Sequence, residues 1–130
     1  MRRTILILVM VAAAISCSGD EEDGLIVTEP MYSVSVEIPD TISLGEQINY
    51  MAQASLLNAC EHYSHLAQSA YGHETYVTLY KNRHIGHEYC ADEVTTIEAI
   101  GAYHPNVVGT YTFNFWRTEG EFLIREVVVR

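Results

Sequence analysis

From Tyr32 to Arg130 polar and apolar residues repeatedly alternate with a period of two, in short runs cut by turn-forming residues. Successive side chains of a strand point to opposite faces, so each such run offers one face to a core and the other to water. "YSVSVEI" puts Val34, Val36 and Ile38 on one face, and "INYMAQASL" does the same with Ile48, Tyr50, Ala52 and Ala54. Between them "PDTISLGEQ" carries Pro39, Asp40 and Gly45, the marks of a turn or a kinked edge strand. "TYVTLY" is β-branched and aromatic, as half-buried strands are, and "EVTTIEAI" is a further short strand. "GTYTFNFW" and "EFLIREVVV" are joined by Arg117-Thr118-Glu119-Gly120, which suits a hairpin loop. No long helical period interrupts the series. "ASLLNACEHYSHLAQSA" has a composition a helix would tolerate, and it is read here as strand. The pattern predicts an all-β antiparallel sandwich of about seven strands.

Two finer expectations follow from the alternation. Tyr71-Gly72 reads as a two-residue hairpin loop, which sets His65 near Thr78 and His62 near Lys81. In the last strand Phe122 and Ile124 share a face while Val127 and Val129 fall on the other. A β-bulge near Arg125-Glu126 would bring all four to the core.

"HPNVVGTYTFNF" is more specific. Gly109-x-Tyr111 resembles the tyrosine corner of immunoglobulin-like domains, a turn and a Gly followed by Tyr at the start of a late strand. The resemblance implies an immunoglobulin-like sandwich over residues 31–130, with the Tyr111 hydroxyl bonded back to the chain and its ring in the core. Phe113 stands where antibody domains place their second cysteine, so the antibody-type bridge is not expected. Such folds serve many unrelated roles, and the likeness carries no function with it.

The other end of the chain is of a different kind. Met1-Arg2-Arg3-Thr4 precedes eleven apolar residues, Ile5 to Ile15. A bilayer-spanning helix needs about 20. A basic start, a short apolar run and small residues at its end describe a secretory signal peptide. "AISC" resembles the lipobox of bacterial lipoproteins, with Ala14 where the family prefers Leu. That likeness implies removal of residues 1–16 and acylation of Cys17, including palmitate. The plainer alternative is an ordinary signal peptide beside an incidental cysteine. Asp20, Glu21, Glu22 and Asp23 cannot bury apolar area, so residues 17–30 read as a solvated tether. "CSGDEED" also resembles the export signal of Bacteroidetes-type lipoproteins, which implies an outer-membrane protein displayed at the cell surface. The alternative is a periplasm-facing anchor.

Loss of Arg2 and Arg3 with the leader leaves five basic residues against 17 acidic ones, a net charge of −12 with His neutral. Nucleic-acid binding requires Lys and Arg to neutralise phosphates, and this balance excludes it. Another envelope protein, a glycan or a peptide remain as partners. With Cys17 lipidated, Cys60 and Cys90 are left as a pair in an exported chain, where disulfides persist, and a disulfide is expected; two buried, reduced thiols are the alternative.

Five of the six histidines, His62, His65, His73, His84 and His87, lie in one stretch. Imidazole suits zinc, copper or nickel, and the loop "KNRHIGHEYC" could wrap an ion with His84, His87 and Glu88. His62 and His65, three apart on a strand, should face opposite ways. Lys81 and Arg83 add positive charge nearby. Surface histidines without a shared ion are therefore the expectation, and no cofactor is assigned. No Gly-x-Ser-x-Gly elbow, His-Glu-x-x-His or phosphate-binding glycine loop occurs, so a non-catalytic role is expected. Nine tyrosines exceed what a core this size can bury. A sheet face or loop rim bearing Tyr76, Tyr80 and Trp116 could hold a glycan or a peptide, because such rings offer contact area at low entropic cost; the equal alternative is ordinary cross-strand aromatic pairs covering the sheet.

If Cys17 is the anchor, Cys17→Ser yields a chain that incorporates no labelled palmitate and leaves the membrane fraction. Undiminished labelling of that variant would refute the anchor.

Overall fold

A computed structural model describes residues 25–86 and 89–130, and among these it contains nine strands and no helix. In chain order the strands are β1 (Ile26–Met31), β2 (Ser33–Glu37), β3 (Thr41–Ile42), β4 (Ile48–Leu56), β5 (Glu61–Tyr71), β6 (Glu74–His84), β7 (Thr95–Tyr103), β8 (Gly109–Thr118) and β9 (Glu121–Val129). They form two packed sheets. In the larger one β6 lies between β5 on one side and β1 and β8 on the other, and β9 and β3 follow β8. The smaller has the order β2-β4-β7. The chain is thus an all-β sandwich, with nine strands where about seven were expected.

The sandwich is not wholly antiparallel. β6 runs parallel to β8 from Glu74↔Thr112 to Val77↔Phe115, and β3 runs parallel to the end of β9. The composition of the β5–β6 hairpin accounts for the first pairing. Thr75, Val77 and Leu79 of β6 are fully buried, whereas β5 is rich in Ser, Gln, Ala and His and mostly exposed. The apolar arm takes the interior and the polar arm takes the edge, where a bulge at Ser64 further blunts it.

β8 covers only the first part of β6. The ladder positions from Leu79 to His84 are completed instead by β1, which pairs Ile26↔His84 through Met31↔Leu79. Sheet structure therefore begins inside the segment read as tether, and the domain boundary moves from residue 31 back to Ile26. Hydrogen-bonding demand of the long β6 strand, not composition, decides this. Pro30 is tolerated because β1 pairs on one side only. At Tyr32 the chain changes sheets, and the Arg117 side chain sits over the Tyr32 ring at 4.6 Å and donates to its hydroxyl. The leader 1–16, Cys17 and the acidic run lie outside the described residues.

Three local readings change. A bulge between Ser33 and Ser35 turns Val34 outward and puts Ser33 in the core, while Val36 and Ile38 pack as expected. The hairpin loop is Gly72-His73, not Tyr71-Gly72: Tyr71 pairs with Glu74, and Gly72 takes φ +62° as the first loop residue. A two-residue Gly-x loop needs its positive φ at that place, so the glycine sets the register. No bulge occurs at Arg125-Glu126. The β8–β9 ladder is continuous from Gly109↔Val129 to Trp116↔Phe122 and shifts only beyond Trp116. Val127 and Val129 are core residues, and Phe122 and Ile124 face out.

Aromatic rings join the sheets. Tyr50 of β4 meets Phe113 and Phe115 of β8, with centroids at 5.7 and 5.3 Å, and Tyr103 of β7 meets Tyr111 and Phe113. The Tyr50 ring also lies against Gly101 of β7, and its hydroxyl donates to Gln68 of β5. Gln68 in turn donates to Ala102 O at 3.3 Å. A Cβ at Gly101 would fall 2.2 Å from Tyr50 Cζ. Gly101→Ala should therefore destabilise the fold by about 3 kcal/mol through overpacking, read as a lower urea midpoint. A midpoint equal to that of the parent chain would show that the Tyr50 ring has room to move aside.

Candidate functional site

Alternation along β6, β8 and β9 sorts side chains onto the outer face of the larger sheet. In register these are Tyr76 beside Asn114 and Ile124, and Trp116 beside Phe122. Tyr71 ends the neighbouring strand. Tyr71 and Tyr76 have ring centroids 6.3 Å apart, and Tyr76 and Phe122 5.7 Å apart, both edge-to-face. Phe122 is 37% exposed and Ile124 55%. The face thus presents apolar and aromatic side chains around the buried Asn114, bordered by the exposed carboxylates Glu74 and Glu126. Glu74's charge, then partial burial and a hydrogen bond at 3.3 Å to Glu74, push the Tyr76 hydroxyl above its usual value. It remains a donor.

All three ring residues named from the sequence, Tyr76, Tyr80 and Trp116, lie on this face. Tyr80 sits further along β6, where it stacks on His65 at 4.8 Å. Phe122 and Ile124 were missed because a bulge was assumed where none exists. Unbroken alternation through Phe122, Ile124, Glu126 and Val128 was the available signal.

The histidines are also rearranged. The bulge at Ser64 means that His62↔Asn82 and His65↔Tyr80 share the outer face, so the strict alternation that separated them fails. His62 and His84 approach with centroids 5.5 Å apart. Lys81 and Arg83 face the interior side of the sheet, opposite the histidines. His87 and Glu88 lie outside the described residues, so the set His84, His87 and Glu88 is not assembled here. Among the described residues no group of three or more His, Cys, Asp or Glu is placed to hold a metal ion.

Beneath the histidines the larger sheet carries a compact ion cluster. Lys81 Nζ lies 2.6 Å from Glu61 Oε1 and 3.8 Å from Glu29, and Arg83 Nε donates to Glu29 at 3.0 Å. Leu57 N donates to the second Glu61 oxygen at 2.6 Å. Beside this cluster Cys60 and Cys90 form a disulfide with Cα atoms 5.5 Å apart. The bridge ties the β6–β7 connection to the start of β5, and the chain-entropy model gives it roughly 3–4 kcal/mol.

The tyrosine corner is present as geometry: Tyr111 Oη donates to Val107 O at 2.7 Å. Gly109, at φ +146°, leaves room for His73, whose ring stacks on Tyr111 at 4.3 Å. On the smaller sheet, Glu37, Pro39, Met51 and Ile100 help line an open groove of about 440 Å³. Comparison with known proteins finds no family model, no curated relative and no solved structure that matches this chain.

Glu61 supplies a pH prediction. Burial works to raise its pKa, but hydrogen bonds from Lys81 and Leu57 and the charges of Lys81 and Arg83 outweigh it, and the net shift is downward. The unfolded chain therefore takes up the proton first as pH falls. Stability is full above the unfolded value of about 4.3 and is lost as pH drops through the lower folded value. Glu61→Gln should flatten that acid limb and cost up to about 3 kcal/mol at pH 7, because Lys81 is left with Glu29 at 3.8 Å as its counter-charge. Urea titrations between pH 3 and pH 7 read both effects (an unchanged curve contradicts them).

Proposed function

We propose that this chain is a membrane-anchored cell-envelope lipoprotein whose β-sandwich acts as a non-catalytic binding module. The anchor rests on the signal-like leader and "AISC", and display at the outer membrane surface rests on "CSGDEED". The observation that carries the binding reading is the Tyr71-Tyr76-Phe122 ring series with Trp116 and Ile124 on one sheet face. Monomeric proteins seldom leave a contiguous apolar patch open without a partner for it. Aromatic rings supply most of the contact energy at such places. The net charge and the flanking Glu74 and Glu126 select against acidic partners, so a neutral glycan or a neutral or basic protein surface fits best.

Site-specific photo-crosslinking in intact cells tests this whatever the partner is. A benzophenone side chain abstracts hydrogen from protein and sugar alike. Placed at Phe122 or Ile124, it should give a discrete adduct that Tyr76→Ala with Trp116→Ala abolishes. Placed at Ile100, on the other sheet, it should give none. Adducts confined to Ile100 would move the site to the groove on the smaller sheet, and adducts from neither face would overturn the binding reading.

A further inference from the structure

His62 and His84 stand diagonally across the β5–β6 ladder on the outer face, with ring centroids 5.5 Å apart and planes at 85°. They border a cleft of about 230 Å³ that, among the described residues, Ala59 and Cys60 also line. The backbone beneath is held firmly. His84 N donates to Cys60 O at 3.1 Å, and the Cys60–Cys90 disulfide fixes that residue in turn. The positive charges that argued against a cation here do not face it. Lys81 and Arg83 project to the opposite side of the sheet and are engaged by Glu61 and Glu29.

We propose that His62 and His84 together bind one divalent first-row transition-metal ion. Imidazole nitrogen is a ligand suited to zinc, copper and nickel. With metal–nitrogen bonds of about 2.0–2.1 Å, two imidazoles on one ion hold their ring centres roughly 4.5 Å apart in a square-planar cis arrangement and roughly 5 Å apart in a tetrahedral one. The observed spacing is within reach of those values by small side-chain adjustments, on a backbone that the disulfide keeps in place. The two imidazoles supply two of the ion's donors, and the cleft has room for a water beside them. The Irving–Williams order makes copper(II) the tightest occupant. This assignment is independent of the binding face proposed above: the pair lies at the far end of β6 from Tyr76.

Copper(II) titration of the full chain, purified without chelator, decides the matter by calorimetry and electron paramagnetic resonance. One equivalent should bind with a spectrum showing two nitrogen donors. His62→Ala and His84→Ala should each weaken it about tenfold or more, while His65→Ala and His104→Ala leave it unchanged. His62 is exposed, so its variant keeps the test sound even if His84→Ala were to fold poorly. Absence of a one-to-one complex, equal affinity in all four variants, or a loss produced by His87→Ala and not by His62→Ala would each overturn the proposal.

Discussion

The Tyr50 side chain is the contact on which the rest of this sandwich depends. Its ring fills the space between Phe113 and Phe115 of the opposing sheet and occupies the volume that Gly101 leaves vacant on its own. Its hydroxyl is too deep for bulk water, and burial first and Tyr63 second hold it firmly protonated. A buried hydroxyl must find an acceptor, and it finds Gln68 on β5, which bonds on to Ala102 O of β7. One residue of β4 thereby sets the separation of the sheets and ties the edge strand of one to the edge strand of the other.

Placement of the surface features follows from that frame. With β5 held at the edge, β6 lies inside and parallel to β8, and their outer rows bring Tyr76, Trp116 and Phe122 onto one face. Where β8 ends, β1 takes over, and its Glu29 joins Glu61 in neutralising Lys81 and Arg83. The same stretch of β6 thus carries paired charges on its inner side and histidines on its outer side. The disulfide holds the neighbouring connection against both. The aromatic patch and the histidine pair are two ends of one sheet face, separated by the His65–Tyr80 stack.

Such an arrangement suits a module that works by contact. The aromatic patch lies on a regular sheet, not on loops, and its rings support one another edge-to-face. A rigid, pre-organised surface loses little conformational entropy when a partner settles on it. The first described strand, β1, begins at Ile26 opposite His84, at the histidine end of the face.

Period-two alternation and turn residues were enough to read an all-β sandwich, because both reflect local backbone preference; the Gly109–Tyr111 corner came from a resemblance to immunoglobulin-like domains, and the pairing of Cys60 with Cys90 from setting Cys17 apart among three cysteines. The ring residues Tyr76, Tyr80 and Trp116 could be nominated from their types and their parity along strands. Register was another matter. A single inserted residue reverses every face beyond it, and nothing in "EHYSHLAQ" marks Ser64 as the bulge that puts His62 and His65 on one side. Nor could the order of the strands be read, since β6 sits beside β8 only because its apolar side chains gain more from the interior than those of β5. Composition and alternation by themselves determined the class of fold and the residues worth watching. Only tertiary packing, which weighs one strand against another for the same buried place, decided which of those residues meet.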